Sequence, residues 1–168
     1  MSEVLLDIKN LKIEATSYPP GEKPRNITLV DGVSLTLEKG KVLGLIGESG
    51  AGKSTIGLSS MAYGRGGVRI TGGEIWLKGR DILKGGVVGL RALRGREVTY
   101  VAQSAAAAFN PAKQLMAQVV EATLQHGVAT RAEAEARAVV MFSKLGLPDP
   151  ENIGRRYPHQ VSGGQLQR

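Results

Sequence analysis

Apolar and polar positions alternate at the front of the chain, through Leu6 and Ile8, then Leu11 and Ile13, and again through Val33, Leu35 and Leu37. A period of two places such residues on one face of a pleated strand, so both stretches are predicted strands. Between them, Ser17-Tyr18-Pro19-Pro20-Gly21-Glu22-Lys23-Pro24 reads as a polar loop, because proline has no N–H to give to a ladder. Glu38-Lys39-Gly40-Lys41 turns the chain into Val42-Leu43-Gly44-Leu45-Ile46, a short apolar run expected to be a buried strand. A further alternating pair surrounds Glu74 to Lys78 and turns at Gly79-Arg80, and Val98-Thr99-Tyr100-Val101 is another predicted strand. Beyond residue 110 the period becomes helical, and Leu115, Val119, Val120 and Leu124 can share one face. Thr130-Arg131-Ala132-Glu133 has the form of a capping box that starts a helix, with Ala138, Phe142 and Leu145 as its apolar stripe and Gly146 as its stop.

Composition narrows the class. With 168 residues and 42% hydrophobic content the chain can bury one ordinary core. Its apolar runs are interrupted by Gly, Lys or Gln well short of a membrane span, and Met1-Ser2-Glu3 opens no export signal, so a cytosolic protein is expected. The absence of cysteine removes disulfides and thiolate metal sites, and leaves an oxygen-ligated ion open. A formal charge of +7 would suit an acidic partner, but the 22 Lys and Arg are dispersed, with Arg91-Arg94-Arg96 and Arg155-Arg156 as local clusters. Aromatic residues at 4% are few for a base-stacking platform, so no nucleic acid is expected as a partner.

Gly47-Glu48-Ser49-Gly50-Ala51-Gly52-Lys53-Ser54 has the spacing of the phosphate-binding loop, following an apolar run and preceding a helix-compatible Ser54-Thr55-Ile56-Gly57-Leu58. Glycines allow successive N–H groups to point inward, and the start of a helix adds positive potential. Lys53 would reach the β- and γ-phosphates of a nucleoside triphosphate, Ser54 would ligate its Mg²⁺, and Thr55 is a further phosphate contact. A Gly-rich strand-to-helix turn with an exposed lysine is the alternative without a ligand. The loop by itself does not separate one class of NTPase from another.

A second motif does. Val161-Ser162-Gly163-Gly164-Gln165 resembles the ABC signature L-S-G-G-Q with Val in the first position, and its flanks Tyr157-Pro158-His159-Gln160 and Leu166-Gln167-Arg168 are similar to those of ABC importers for peptides. A Ser-capped helix start without a ligand is its bland counterpart. The resemblance covers nearly the whole chain and is closest to the oligopeptide, dipeptide and nickel importer ATPases. It implies an α/β P-loop NTPase fold with an antiparallel β subdomain and a helical signature subdomain, incomplete at its C-terminus. Residues 1–168 would then form a partial ABC ATP-binding domain, with the phosphate-loop core and β subdomain at about 1–110 and the helical subdomain at 111–168.

The resemblance also assigns roles. Gln103, at the end of the run Val98 to Ala102, stands where the family's glutamine contacts Mg²⁺ and the attacking water, and Ser104 to Phe109-Asn110-Pro111 is similar to the continuation of that loop. Tyr18 is the candidate for stacking on adenine, although the family's aromatic more often ends the preceding strand, where Ala15 stands here; packing on the loop prolines explains Tyr18 equally. Trp76, in an alternating strand, reads as a packing residue. ATP and Mg²⁺ are the implied cofactors. The implied partners are a second ABC ATPase subunit, identical or different, integral membrane permeases, and indirectly a periplasmic or extracellular solute-binding protein.

In that arrangement Ser162, Gly163, Gly164 and Gln165 of one subunit close over ATP held by Lys53 and Ser54 of the other, at the cytoplasmic face of the inner membrane. The expected function is ATP hydrolysis that energises import of peptides or a similar small solute. No Asp-Glu pair closes an apolar strand in the sequence, and His126 and His159 stand in the wrong places for the family's switch histidine. The chain therefore reads as a front part of a longer ATPase with little turnover of its own. A soluble ABC ATPase acting on nucleic acid or ribosomes, and a non-hydrolysing ATP-binding module, are the competing readings.

Overall fold

A computed structural model describes residues 3–64 and 66–168. The chain divides into two compact units at Val98/Thr99. The first unit is built on an antiparallel sheet of four strands in the order β2-β1-β3-β4, where β1 is Val4–Ser17, β2 Arg25–Glu38, β3 Val68–Leu77 and β4 Arg80–Asp81. The loop predicted from its prolines joins β1 to β2.

The three-residue step from Ile8 to Leu11 breaks a period of two, yet both side chains are fully buried. A bulge reconciles them. The pairing of β1 with β2 and with β3 shifts between these positions, and Asn10 takes a left-handed φ of 48°. Opposite the bulge Gly73 has φ 90°, and a Cβ there would lie 2.6 Å from the carbonyl oxygens of Lys9 and Asn10, so only glycine admits this close approach. The face so aligned buries Ile8, Leu11, Ile13, Val30, Ile75 and Leu77 with Ile82 and Leu93. Two helices complete the unit, α1 at Lys53–Ser59 and α2 at Gly86–Leu93. Arg94 ties them, its guanidinium donating to the carbonyls of Met61 (3.1 Å) and Ala62 (2.9 Å) while lying over the Tyr63 ring.

Two predicted strands do not form. Residues 42–46 have no strand assignment, with Val42 98% and Ile46 96% exposed. Beyond an isolated bridge between Arg94 and Val98, residues 99–102 are likewise irregular, and Val101 is 86% exposed. An apolar run supplies a surface to bury, but a strand also needs a neighbour's N–H and C=O groups. No described strand pairs with either run.

The second unit is helical: α3 Ala105–Ala108, α4 Leu115–Val119, α5 Glu121–Gln125, α6 Arg131–Lys144 and α7 Gly163–Gln167, with single 3₁₀ turns at Ile153–Arg155 and Pro158–Gln160. Its core gathers Leu115, Val120, Ala134, Ala138, Phe142, Leu147 and Ile153. Val119 does not share that face, because the helical stretch breaks at Val120 and turns it outward. The capping box forms at Thr130 and Glu133. The Thr130 N–H first, and its hydroxyl second, hold the Glu133 carboxyl below its usual pKa. At the other end of α6, Gly146 at φ 64° closes a Schellman turn, with Leu147 N–H donating to Phe142 C=O at 3.0 Å. That turn buries Leu147 and leaves the expected Leu145 exposed.

Candidate nucleotide-binding site

In the first unit the candidate site is the loop from Gly47 to Gly52 and the start of α1. Gly47, Gly50 and Gly52 have φ of 151°, 85° and 82°, the region that L side chains seldom adopt. Gly52 is also crowded, since a Cβ there would meet Leu29 C=O at 3.3 Å and a Val30 methyl at 3.4 Å. Ala51 N–H closes a turn on Glu48 C=O at 3.2 Å, and Ile56 N–H makes the first α1 bond, to Gly52 at 2.9 Å. No side chain caps α1, so its first N–H groups are left for an acceptor from outside the helix. Lys53 Nζ donates to the carbonyls of Gly47 (2.8 Å) and Glu48 (2.6 Å), which folds the ammonium onto the loop. Glu48, Ser49, Ala51 and Ser54 are exposed, and Thr55 is half-buried. A ring of glycine-permitted backbone, open N–H groups and one held ammonium fits a polyphosphate.

Tyr18, also in the first unit, is 75% exposed, so the prolines beside it do not bury its ring. Trp76 is half-buried outside the hydrophobic core, with its indole N–H donating to Glu74 at 2.8 Å and the Lys9 and Lys84 ammoniums near its ring.

The second unit holds Gln103 and the Ser162 motif. Val161 is extended and Ser162 is the N-cap of α7, closed by a reciprocal box in which Ser162 Oγ accepts from Gln165 N–H (3.2 Å) and Gln165 Oε1 accepts from Ser162 N–H (2.9 Å). This cap leaves Ser162, Gly163 and Gly164 exposed. The Ser162 oxygen accepts within the cap, and its O–H remains a donor. Upstream, Gln160 Oε1 accepts from Tyr157 N–H at 2.8 Å, and His159 stacks on the Tyr157 ring. Gln103 is exposed at the turn before α3. Among the described residues no three His, Cys, Asp or Glu side chains gather into a metal site. No described helix is long and apolar enough to cross a membrane.

The sequence names Gln167 and Arg168 as the flank of the second motif and assigns them no role. Gln167 bonds the backbone on both sides of Gln103, to Ala102 C=O at 3.4 Å and Ala105 N–H at 3.1 Å. Arg168 joins Gly164 C=O to the Leu145 and Gly146 carbonyls that end α6. Their position beside the signature was visible, but which backbone groups they meet depends on the fold.

Known proteins resemble this chain in sequence and in fold. The chain is similar to the dipeptide transport ATP-binding protein DppD of Bacillus subtilis, 33% identical over 170 residues that span 99% of this chain and 48% of that protein. It is similar also to the oligopeptide transport ATP-binding protein AppD of Bacillus subtilis, 34% identical over 165 residues covering 98% of this chain and 49% of that protein. The chain thus spans about half the length of these curated relatives. Among solved structures, a dimeric ATP-binding cassette in a post-hydrolysis state with ADP and Pi shares the fold, with a TM-score of 0.75 at 22% identity over 97% of this chain and 66% of that one. The ABC transporter family model matches residues 30–168, so the chain belongs to the ABC transporter family and has the fold of its P-loop nucleotide-binding domain, with an antiparallel β subdomain and a helical subdomain.

Proposed function

We propose that this chain is the ATP-binding and ATP-hydrolysing part of an ABC import system for peptides or a similar small solute. The observation that carries the proposal is the presence on one chain of an uncapped phosphate loop and a separately capped, exposed Ser162-Gly163-Gly164 helix start. One γ-phosphate does not need both from the same subunit. The second serves a neighbour, and the working unit is a head-to-tail pair with an identical or different ABC ATPase subunit.

Residues Gly47 to Thr55 hold the phosphates, with the loop N–H groups and Lys53 as donors. Ser54 would ligate Mg²⁺, which when bound would neutralise charge on the β- and γ-phosphates. Ser162, Gly163 and Gly164 donate to the partner's nucleotide, Gln165 holds their geometry, and Gln103 orients water. Tyr18 is the adenine-stacking candidate, its exposed ring leaving a face to offer. Turnover by these 168 residues alone is slow, because they contain no Asp-Glu pair after an apolar run to hold Mg²⁺ and polarise water.

The peptide assignment draws on the relatives, which are named for dipeptide and oligopeptide transport. Permease subunits and, through them, a solute-binding protein are the further partners, which places the chain at the cytoplasmic face of the cell membrane. Nucleic acid is not proposed among them, because the 22 Lys and Arg are dispersed and aromatic residues are 4% of the chain.

Mixing two variants tests the head-to-tail pair. At millimolar ATP–Mg the wild-type chain, alone or with its partner ATPase, should sediment as a dimer. Lys53→Ala and Ser162→Ala versions should each stay monomeric alone, and their mixture should recover dimer, since one composite site is intact. Dimer formation by Lys53→Ala alone, or a mixture no better than its components, contradicts the proposal.

A further inference from the structure

Gln103 and the signature motif are separated by about sixty residues in sequence, yet one side chain joins their backbones. The Gln167 carboxamide accepts from Ala105 N–H at 3.1 Å and donates to Ala102 C=O at 3.4 Å, bracketing Gln103 and Ser104. Ala105 is the first residue of α3, and Ser104 before it supplies no side-chain cap, so Gln167 satisfies an N–H that the helix cannot satisfy itself. The far side of α7 is held as well. Leu166 packs against the helical core, and Arg168 bonds Gly164 and the carbonyls ending α6. At the front of α7 the Gln165 box fixes Ser162.

The geometry points to Gln167 as a positioning residue that ties the Gln103 loop to the signature helix, so that Gln103 and Ser162 are placed together. A carboxamide suits this task because it offers an acceptor and a donor at once, matching the one N–H and one C=O of the loop. Gln103 itself is exposed, and its orientation is set through its neighbours' backbone. A nucleotide contact made by Ser162 on one subunit is thereby felt at Gln103 of the same subunit. This inference rests on the nucleotide reading above for the roles of Gln103 and Ser162, and on geometry alone for the clamp.

The experiment uses Gln167→Met, which keeps length and loses both bonds, and Gln167→Glu, which keeps the acceptor. Without nucleotide, amide exchange at Ala105 should be at least tenfold faster in Gln167→Met and within threefold of wild type in Gln167→Glu. With ATP–Mg, the magnesium concentration giving half-maximal dimer should rise at least fivefold in Gln167→Met, while ATP affinity measured at the Lys53 loop stays within twofold. In a Gln103→Ala background Gln167→Met should add less than twofold. Unchanged Ala105 exchange overturns the clamp. An effect of Gln167→Met that persists in full beside Gln103→Ala overturns action through Gln103 and leaves a stability role. If wild type shows no ATP–Mg response while Ala105 exchange still depends on Gln167, the nucleotide reading fails, and with it the coupling, while the clamp stands.

Discussion

Two of the chain's glycine-containing helix starts, those of α1 and α7, solve the same backbone problem in opposite ways. At α1 the N-cap is Gly52, left-handed and without a capping side chain, and Lys53 rests on the loop's own carbonyls. At α7 the N-cap is Ser162, and the Gln165 side chain completes a reciprocal box. The first start leaves its N–H groups to a ligand; the second is satisfied internally and offers a hydroxyl and two exposed glycines. On the function proposed above, the difference amounts to a division of labour, in which α1 would bind and α7 would offer a preformed surface to a partner's nucleotide.

Lys53→Ala should separate the two most sharply. It removes a charge-assisted donor, so ATP–Mg affinity measured by calorimetry should fall about a hundredfold, the equivalent of about 3 kcal/mol, with little change in Tm. Gly52→Ala should act on stability as well. Forcing a Cβ into a φ of 82° beside Leu29 C=O should cost about 1–2 kcal/mol in urea unfolding of the first unit. Ser162→Ala should cost about 1 kcal/mol in the helical unit by loss of its cap, while monomer ATP affinity stays at wild type. An equal loss of monomer affinity in Ser162→Ala and Lys53→Ala would erase the distinction between the two starts.

The smallest effect concerns a third start, the Thr130 box. Glu133 has its folded pKa lowered by the Thr130 N–H and then its hydroxyl, so its stabilising contribution is complete above the unfolded pKa and is lost as pH falls through the folded one. Helical circular dichroism of wild type should therefore decline on acidification below the usual glutamate pKa of about 4.3. A Glu133→Gln chain should show a flatter acid limb.

Local chemistry was legible in the sequence. The Thr130 box, the Gly146 stop and the proline loop follow from side chains reaching their own backbone neighbours, and the structure forms each of them. The apolar strand faces were legible too, except at Ile8 and Leu11, where the bulge depends on Asn10 and on Gly73 across the sheet. What could not be read was pairing. Val42 to Ile46 and residues 99–102 have the apolar character of buried strands, yet character does not supply a neighbouring ladder. At the site, loop and signature were visible as spacings, whereas the Gln167 clamp and the Arg94 tie are long-range bonds that no spacing encodes.

Titration of the isotope-labelled chain with ATP–Mg, followed by backbone NMR, tests the central claim most directly. Amides of Gly50, Gly52, Lys53, Ser54 and Thr55 should shift together and saturate in wild type, and the same titration of Lys53→Ala should leave them in place. Absence of a response in wild type, or an equal response in Lys53→Ala, would contradict the account.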